Sequence, residues 1–237
     1  MLRRARGRGI IGIFVGMFLA CLNVSSPAQA SEPCPSAVLT YWFMFHGGDT
    51  YVPTAAFDTT IVNSDSDTAR VAFDHGAGRM TLSAVGRVWA GERVRERFDV
   101  SGVPVGTPVP AIITFALDGD VLNNCGGGGC GAYFTATLAT TADSVIADAS
   151  IPGPCDSCTR RLSTTLTLPL TITSGTPVEV AFAMLYHTTN VAWGRASATG
   201  VYGISGLPQG VRALGCSGAD VTPVRRTTWG SLKSIYR

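Results

Sequence analysis

The sequence predicts an all-β fold: an antiparallel β-sandwich, jelly-roll-like in layout, forming a single domain. Three observations carry that expectation. Apolar and polar residues alternate with a period of two through many short segments. Clusters of Gly, Pro, Asp and Asn separate those segments. No stretch of the folded region shows the 3.6-residue apolar period of an amphipathic helix.

The alternation is cleanest at 162–172, where Leu162, Leu166, Leu168, Leu170 and Ile172 fall on even positions and Ser163, Thr165, Thr167 and Thr171 on odd ones. Successive side chains of a pleated strand point to opposite faces, so this segment has one oily face and one hydroxyl face. Val178, Val180, Phe182, Met184 and Tyr186 repeat the pattern, as do Ala132, Phe134, Ala136 and Leu138. Further strands are expected near 37–46, 69–74, 80–85, 94–100, 110–117, 144–151 and 191–204. Thr140 to Asp143 reads as the turn of a hairpin. Ser101-Gly102-Val103-Pro104 and Asp118-Gly119-Asp120 read as turns on the same grounds. Gly-Thr-Pro-Val occurs at 106–109 and again at 175–178, each time before an apolar strand. Proline presets that start and needs no ladder donor there.

Residues 1–30 read as a signal peptide. Arg3, Arg4, Arg6 and Arg8 precede an apolar run from Ile10 to Leu22, and a small-residue exit ends at Ala28-Gln29-Ala30. The run falls short of the roughly 20 residues that span a bilayer. The domain organisation expected is therefore a signal at 1–30, a sandwich at 31–221 and a tail at 222–237, with the mature protein secreted, extracellular or at the cell surface and carrying no membrane span. In the tail, Trp229, Leu232 and Ile235 have near-helical spacing. Removing the signal takes away four of the 18 basic residues and leaves 14 against 16 acids. That balance offers no basic stripe for nucleic acid.

Six cysteines remain after the signal: Cys34, Cys125, Cys130, Cys155, Cys158 and Cys216. An even number in an exported chain points to disulfides. Cys34 and Cys216 nearly bracket the domain. The other four sit in two short loops that the 132–151 hairpin brings to one sheet end. Paired short spacings also suit a four-thiolate zinc site, the alternative to disulfides at this cluster.

Three stretches, RFDVSGVPVGTPVPAIITFALDGDV, LTLPLTITSGTPVEVAFAML and VAWGRASATGVYGISGLPQGVRALGCSGAD, together spanning about 95 to 220, resemble a broad group of exported bacterial β-sandwich proteins. The shared features are turn and strand punctuation. The resemblance implies fold and export, and it transfers no functional residues.

Chemistry-bearing constellations are few. Asn63, Asp65, Asp67 and Asp74 match several oxygen-ligand offsets of a calcium loop, although Thr68 stands where such a loop needs Gly. The histidines, His46, His75 and His187, each fall beside a turn or a strand end. Glutamate is limited to Glu32, Glu92, Glu96 and Glu179, which leaves few acids for glycoside cleavage. No motif identifies a catalytic residue or a bound cofactor. Tyr41, Trp42 and Phe43 run consecutively in the first mature strand, where alternation puts Trp42 on the face opposite its neighbours. Trp42 and Trp89 are the candidate ligand-binding aromatics. The functional expectation is a non-catalytic structural or adhesive protein whose partner is an extracellular glycan or surface protein. A carbohydrate-binding module, with or without calcium, is the first alternative and a secreted hydrolase the second.

Overall fold

The computed structural model describes residues 36–43, 46–52, 56–62, 67–125, 130–153, 155–189, 193–216 and 221. They form fourteen strands: β1 (Ser36–Phe43), β2 (His46–Val52), β3 (Ala56–Val62), β4 (Thr68–Asp74), β5 (Arg79–Gly86), β6 (Val88–Ser101), β7 (Pro108–Cys125), β8 (Gly131–Ala139), β9 (Ser144–Asp148), β10 (Ile151–Pro152), β11 (Cys155–Thr173), β12 (Val178–Thr188), β13 (Trp193–Ser205) and β14 (Arg212–Leu214). Sheet A runs β10-β8-β12-β6-β1-β2, with β9 also on β8 and β14 on β6. Sheet B runs β11-β7-β13-β5-β4-β3. Every pairing is antiparallel. From β5 onward the chain repeatedly crosses between sheets, which interleaves the strands in the jelly-roll-like manner expected.

Alternation builds the interior. Along β6 every even residue from Val88 to Val100 is buried, and β4, β5, β8, β12 and β13 each contribute their own alternate set. Phe115 meets Phe182 edge-on at 5.5 Å, and Phe182 stacks on Tyr202 at 4.3 Å. Phe73 continues the cluster at 6.5 Å from Tyr202. Each fully buried side chain of this size contributes about 1.5–3 kcal/mol.

The turns bear out their chemistry. Thr140 Oγ1 accepts from the amides of Asp143 (3.1 Å) and Ala142 (3.3 Å), closing the β8–β9 hairpin. The two Gly-Thr-Pro turns meet at one end of the sandwich. The Gly106 amide donates to the Ser174 carbonyl at 2.8 Å, and the Ser174 amide donates to the Thr107 carbonyl at 3.0 Å. Gly106 and Gly175 both have φ above +80°, a conformation glycine adopts without steric cost.

Asp118-Gly119-Asp120 is a correction to the sequence reading. It is no turn; β7 runs straight through it. Asp118 pairs with Arg161 of β11 at 3.0 Å, and Asp120 with Arg195 of β13 at 3.6 Å, so neighbouring strands balance the two charges. Gly119 answers to crowding: a Cβ there would lie 2.3 Å from the Ser197 carbonyl oxygen.

Candidate functional site

Among the described side chains, Trp89, His187 and Tyr133 form a row on the outer face of sheet A, and the backbone register continues it to residue 42. Direct cross-strand pairs run Trp42 to Trp89, Trp89 to His187, and His187 to Tyr133, across β1, β6, β12 and β8. At about 4.8 Å per strand, this register line is roughly 14 Å long. The His187 and Tyr133 rings stack with centroids 4.8 Å apart and planes 9° from parallel. Tyr133 leans over Gly131, where a Cβ would meet its ring at 2.7 Å. Trp89 is half-buried, like His187 and Tyr133.

Burial is the main influence on the His187 imidazole and holds its pKa below the ordinary value; the Asp148 carboxylate opposes it. The ring is therefore neutral at neutral pH, which suits stacking. Beside the row, the next outward-facing register line runs Gly91, Leu185 and Thr135, followed by Arg93, Ala183 and Thr137. Arg93, Arg95 and Arg97 line its β6 side, with Arg95 paired to Glu179 at 3.8 Å. Apolar ring surface beside planar hydrogen-bonding groups is the chemistry that sugar recognition uses.

A second polar set lies between the sheets. Glu96, 1% exposed, spends both oxygens: Oε2 takes the His75 Nε2 proton donor at 2.5 Å, and Oε1 accepts the amides of Cys216 (2.8 Å) and Arg97 (3.0 Å). The bond to Glu96 raises the His75 pKa; burial opposes it, and the Glu96 and Asp74 charges add to it. Glu96 thus clamps the β4–β5 turn and the chain after β14 onto β6. Glu92, two pleat repeats away on the same inward face, is also 1% exposed, and neither of its carboxylate oxygens has a protein partner. Burial alone drives its pKa well above the ordinary value. The hydroxyls of Tyr186 and Tyr202 are buried and unpartnered as well. Burial pushes both phenols upward, and for Tyr202 the charges of Glu96, Glu92 and Asp74 add to the shift. Neither glutamate presents a carboxylate to a molecule outside the sandwich.

Of the calcium set, Asn63 and Asp65 lie outside the described residues. Asp67 and Asp74 flank and end the seven-residue β4, about 23 Å apart at strand rise. One ion cannot take both, so the four-residue calcium set is not a single site. Asp67 is buried over Gly86, where a Cβ would lie 1.8 Å from its Oδ1, and Asp74 accepts the Ala77 amide at 3.1 Å in the β4–β5 turn. Among the described residues, no three His, Cys, Asp or Glu side chains gather to hold a metal.

The cysteine loops do converge at one end of sheet B: Cys155 opposes Cys125 in register, and Cys130 immediately precedes β8. Cys155 and Cys158 form a disulfide with Cα atoms 5.7 Å apart, and Cys130 and Cys216 are each oxidised in disulfides as well. Oxidised sulfur of this kind is not available as thiolate for the zinc alternative. Cys34 lies outside the described residues.

Sequence reasoning singled out Trp42 and Trp89 and missed Tyr133 and His187 as their row-mates. Alternation in 132–138 and 178–186 already places 133 and 187 opposite the core. The strand register that lines them up with Trp89 has no signature in a single sequence.

No family model and no curated protein matches this chain. A solved structure of infectious bursal disease virus, Gx strain, is 11% identical and covers 88% of this chain and 74% of its own, with a TM-score of 0.21. A likeness of that size carries no argument about fold or function.

Proposed function

We propose that this is an exported, non-catalytic β-sandwich acting by adhesion at the cell surface or in the extracellular matrix, and that it holds glycan on the outer face of sheet A. The observation carrying this reading is the aromatic register Trp89–His187–Tyr133, with His187 stacked on Tyr133. Buried acids spent on clamping or sealed in the core favour binding over hydrolysis. Export rests on the signal read at 1–30 and on the disulfides, which persist in oxidising compartments.

A glycan array probed with the mature protein, with and without calcium, tests the proposal. Binding to a restricted set of sugars, lost at least about tenfold in Trp89→Ala and Tyr133→Ala, is expected. Both variants should keep the wild-type melting transition. Failure on every sugar would end the glycan reading and turn the search toward a surface protein.

A further inference from the structure

Strand β11 closes sheet B, and among the described residues its ladder partner is β7 alone. It is 19 residues long, so its other side is an extended edge. The orientation of that edge can be worked out. Both backbone groups of Ser174 bond to the start of the β7 segment, through Thr107 and Gly106. Backbone groups alternate sides along an antiparallel strand, so even residues of β11 bond β7 and odd residues face the open side. The Thr173 carbonyl fits this, since it accepts the Thr176 amide in the turn instead. Pro169 is odd, so its missing N–H falls on the open side and costs β7 nothing.

Natural edges are blunted by bulges, charges and proline, and β11 has all three, but at its ends. The register shift between Cys155 and Cys158 carries the disulfide and the positive φ of Ser157. Arg160 and Arg161 follow, and Pro169 stands at the far side. Between them, Leu162-Ser-Thr-Thr-Leu-Thr-Leu168 has no charge, Gly or Pro, and Ser163, Thr164, Thr165 and Thr167 are exposed. Among the described residues that stretch, about 24 Å long, has no ladder partner on its open side; β9 lies near β11, and Arg160 donates to the Ser150 carbonyl at 2.9 Å beyond its amino end.

We infer that this edge pairs with the β11 edge of a second copy of the chain, antiparallel, about a two-fold axis through Thr165. In that register Thr165 faces its own counterpart, Ser163 faces Thr167, Leu162 faces Leu168 and Thr164 faces Leu166. Hydroxyls meet hydroxyls on the outer face, and on the core face Leu162 meets Leu168 while Thr164 meets Leu166. Arg161 falls opposite Pro169, where its amide donates to the proline carbonyl and the absent proline donor removes one bond. The two Arg161 residues end up about 27 Å apart, beyond the Debye length at physiological salt. A parallel in-register pairing would instead stack Arg160 and Arg161 on their counterparts, and that repulsion selects the antiparallel arrangement. The interface is a ladder of about eight hydrogen bonds that joins two copies of sheet B into one continuous sheet.

Thr165→Pro is the decisive variant, because residue 165 is odd: the substitution removes donors from the open edge and leaves the β7 ladder intact, as Pro169 already does. Sedimentation of the mature protein should show a reversible dimer whose Kd rises about 30-fold in Thr165→Pro. Oxidised Thr165→Cys should give a covalent dimer through the axial pair, and Thr171→Cys should not, lying about 40 Å from its counterpart. A wild type that stays monomeric to about 100 μM, an unchanged Kd in Thr165→Pro, or equal cross-linking at 165 and 171 would overturn the pairing.

Discussion

Replacing Glu92 with Gln should flatten the pH dependence of stability on the alkaline side of the carboxylate range. Glu92 sits on β6 opposite Met184 of β12, 1% exposed, with both oxygens unpartnered. Burial raises its folded-state pKa well above the unfolded one, so the folded chain binds this proton over a pH range where the unfolded chain has released it. In that range the unfolded state holds fewer protons, and stability therefore falls as pH rises. The slope is on the order of 1 kcal/mol per pH unit for one group, for as long as the pH lies between the unfolded-state and folded-state values. Glutamine keeps the shape and cannot ionise. Urea unfolding of both proteins at pH 5, 6 and 7 gives the difference directly, with other titrating groups cancelling. Relative to the wild type, the variant should gain stability steadily as the pH rises from 5 to 7. Parallel pH profiles would refute the placement of a neutral Glu92 in the core.

Three further outcomes follow from the same structure. His75→Ala strands the Glu96 Oε2 carboxylate oxygen and should cost about 1–3 kcal/mol. Because Glu96 raises the His75 pKa, that stabilisation is fully present below the unfolded histidine value and fades as pH rises through the folded one, so the cost should be larger at pH 6 than at pH 9. Gly119→Ala drives a methyl into the Ser197 carbonyl of β13 and should lower stability by about 2–4 kcal/mol in thermal unfolding, with no change in glycan binding. Removing the Cys155–Cys158 disulfide as a double serine variant should cost no more than about 2 kcal/mol, since so short a loop restrains little of the unfolded chain.

What the sequence made legible follows from the physics of each element. Where one face of a strand is buried and the other wet, as in β5, β11 and β12, alternation shows the strand plainly. Where that contrast fades, the reading fails: β3 alternates only between exposed and half-buried, and β14 is three residues long. Strand β6 starts at Val88, six residues before the expected 94, because Gly91 and the inward Glu92 interrupt the apolar pattern. Asp118-Gly119-Asp120 misled for the opposite reason. Its composition is that of a turn, yet arginines on β11 and β13 answer its charges and the close approach of β13 requires its glycine. The aromatic row was half visible, since alternation gives each residue its face and only the folded register makes neighbours of them.

Whether the outer face of sheet A is the working surface is reported directly by the tryptophans. Trp89 lies in the aromatic row, whereas Trp193 is 43% exposed on β13 of the other sheet. In a two-dimensional NMR titration with a sugar chosen from the array, the Trp89 indole N–H signal should shift and saturate while that of Trp193 stays in place. A Trp193 shift with Trp89 unmoved would contradict the account.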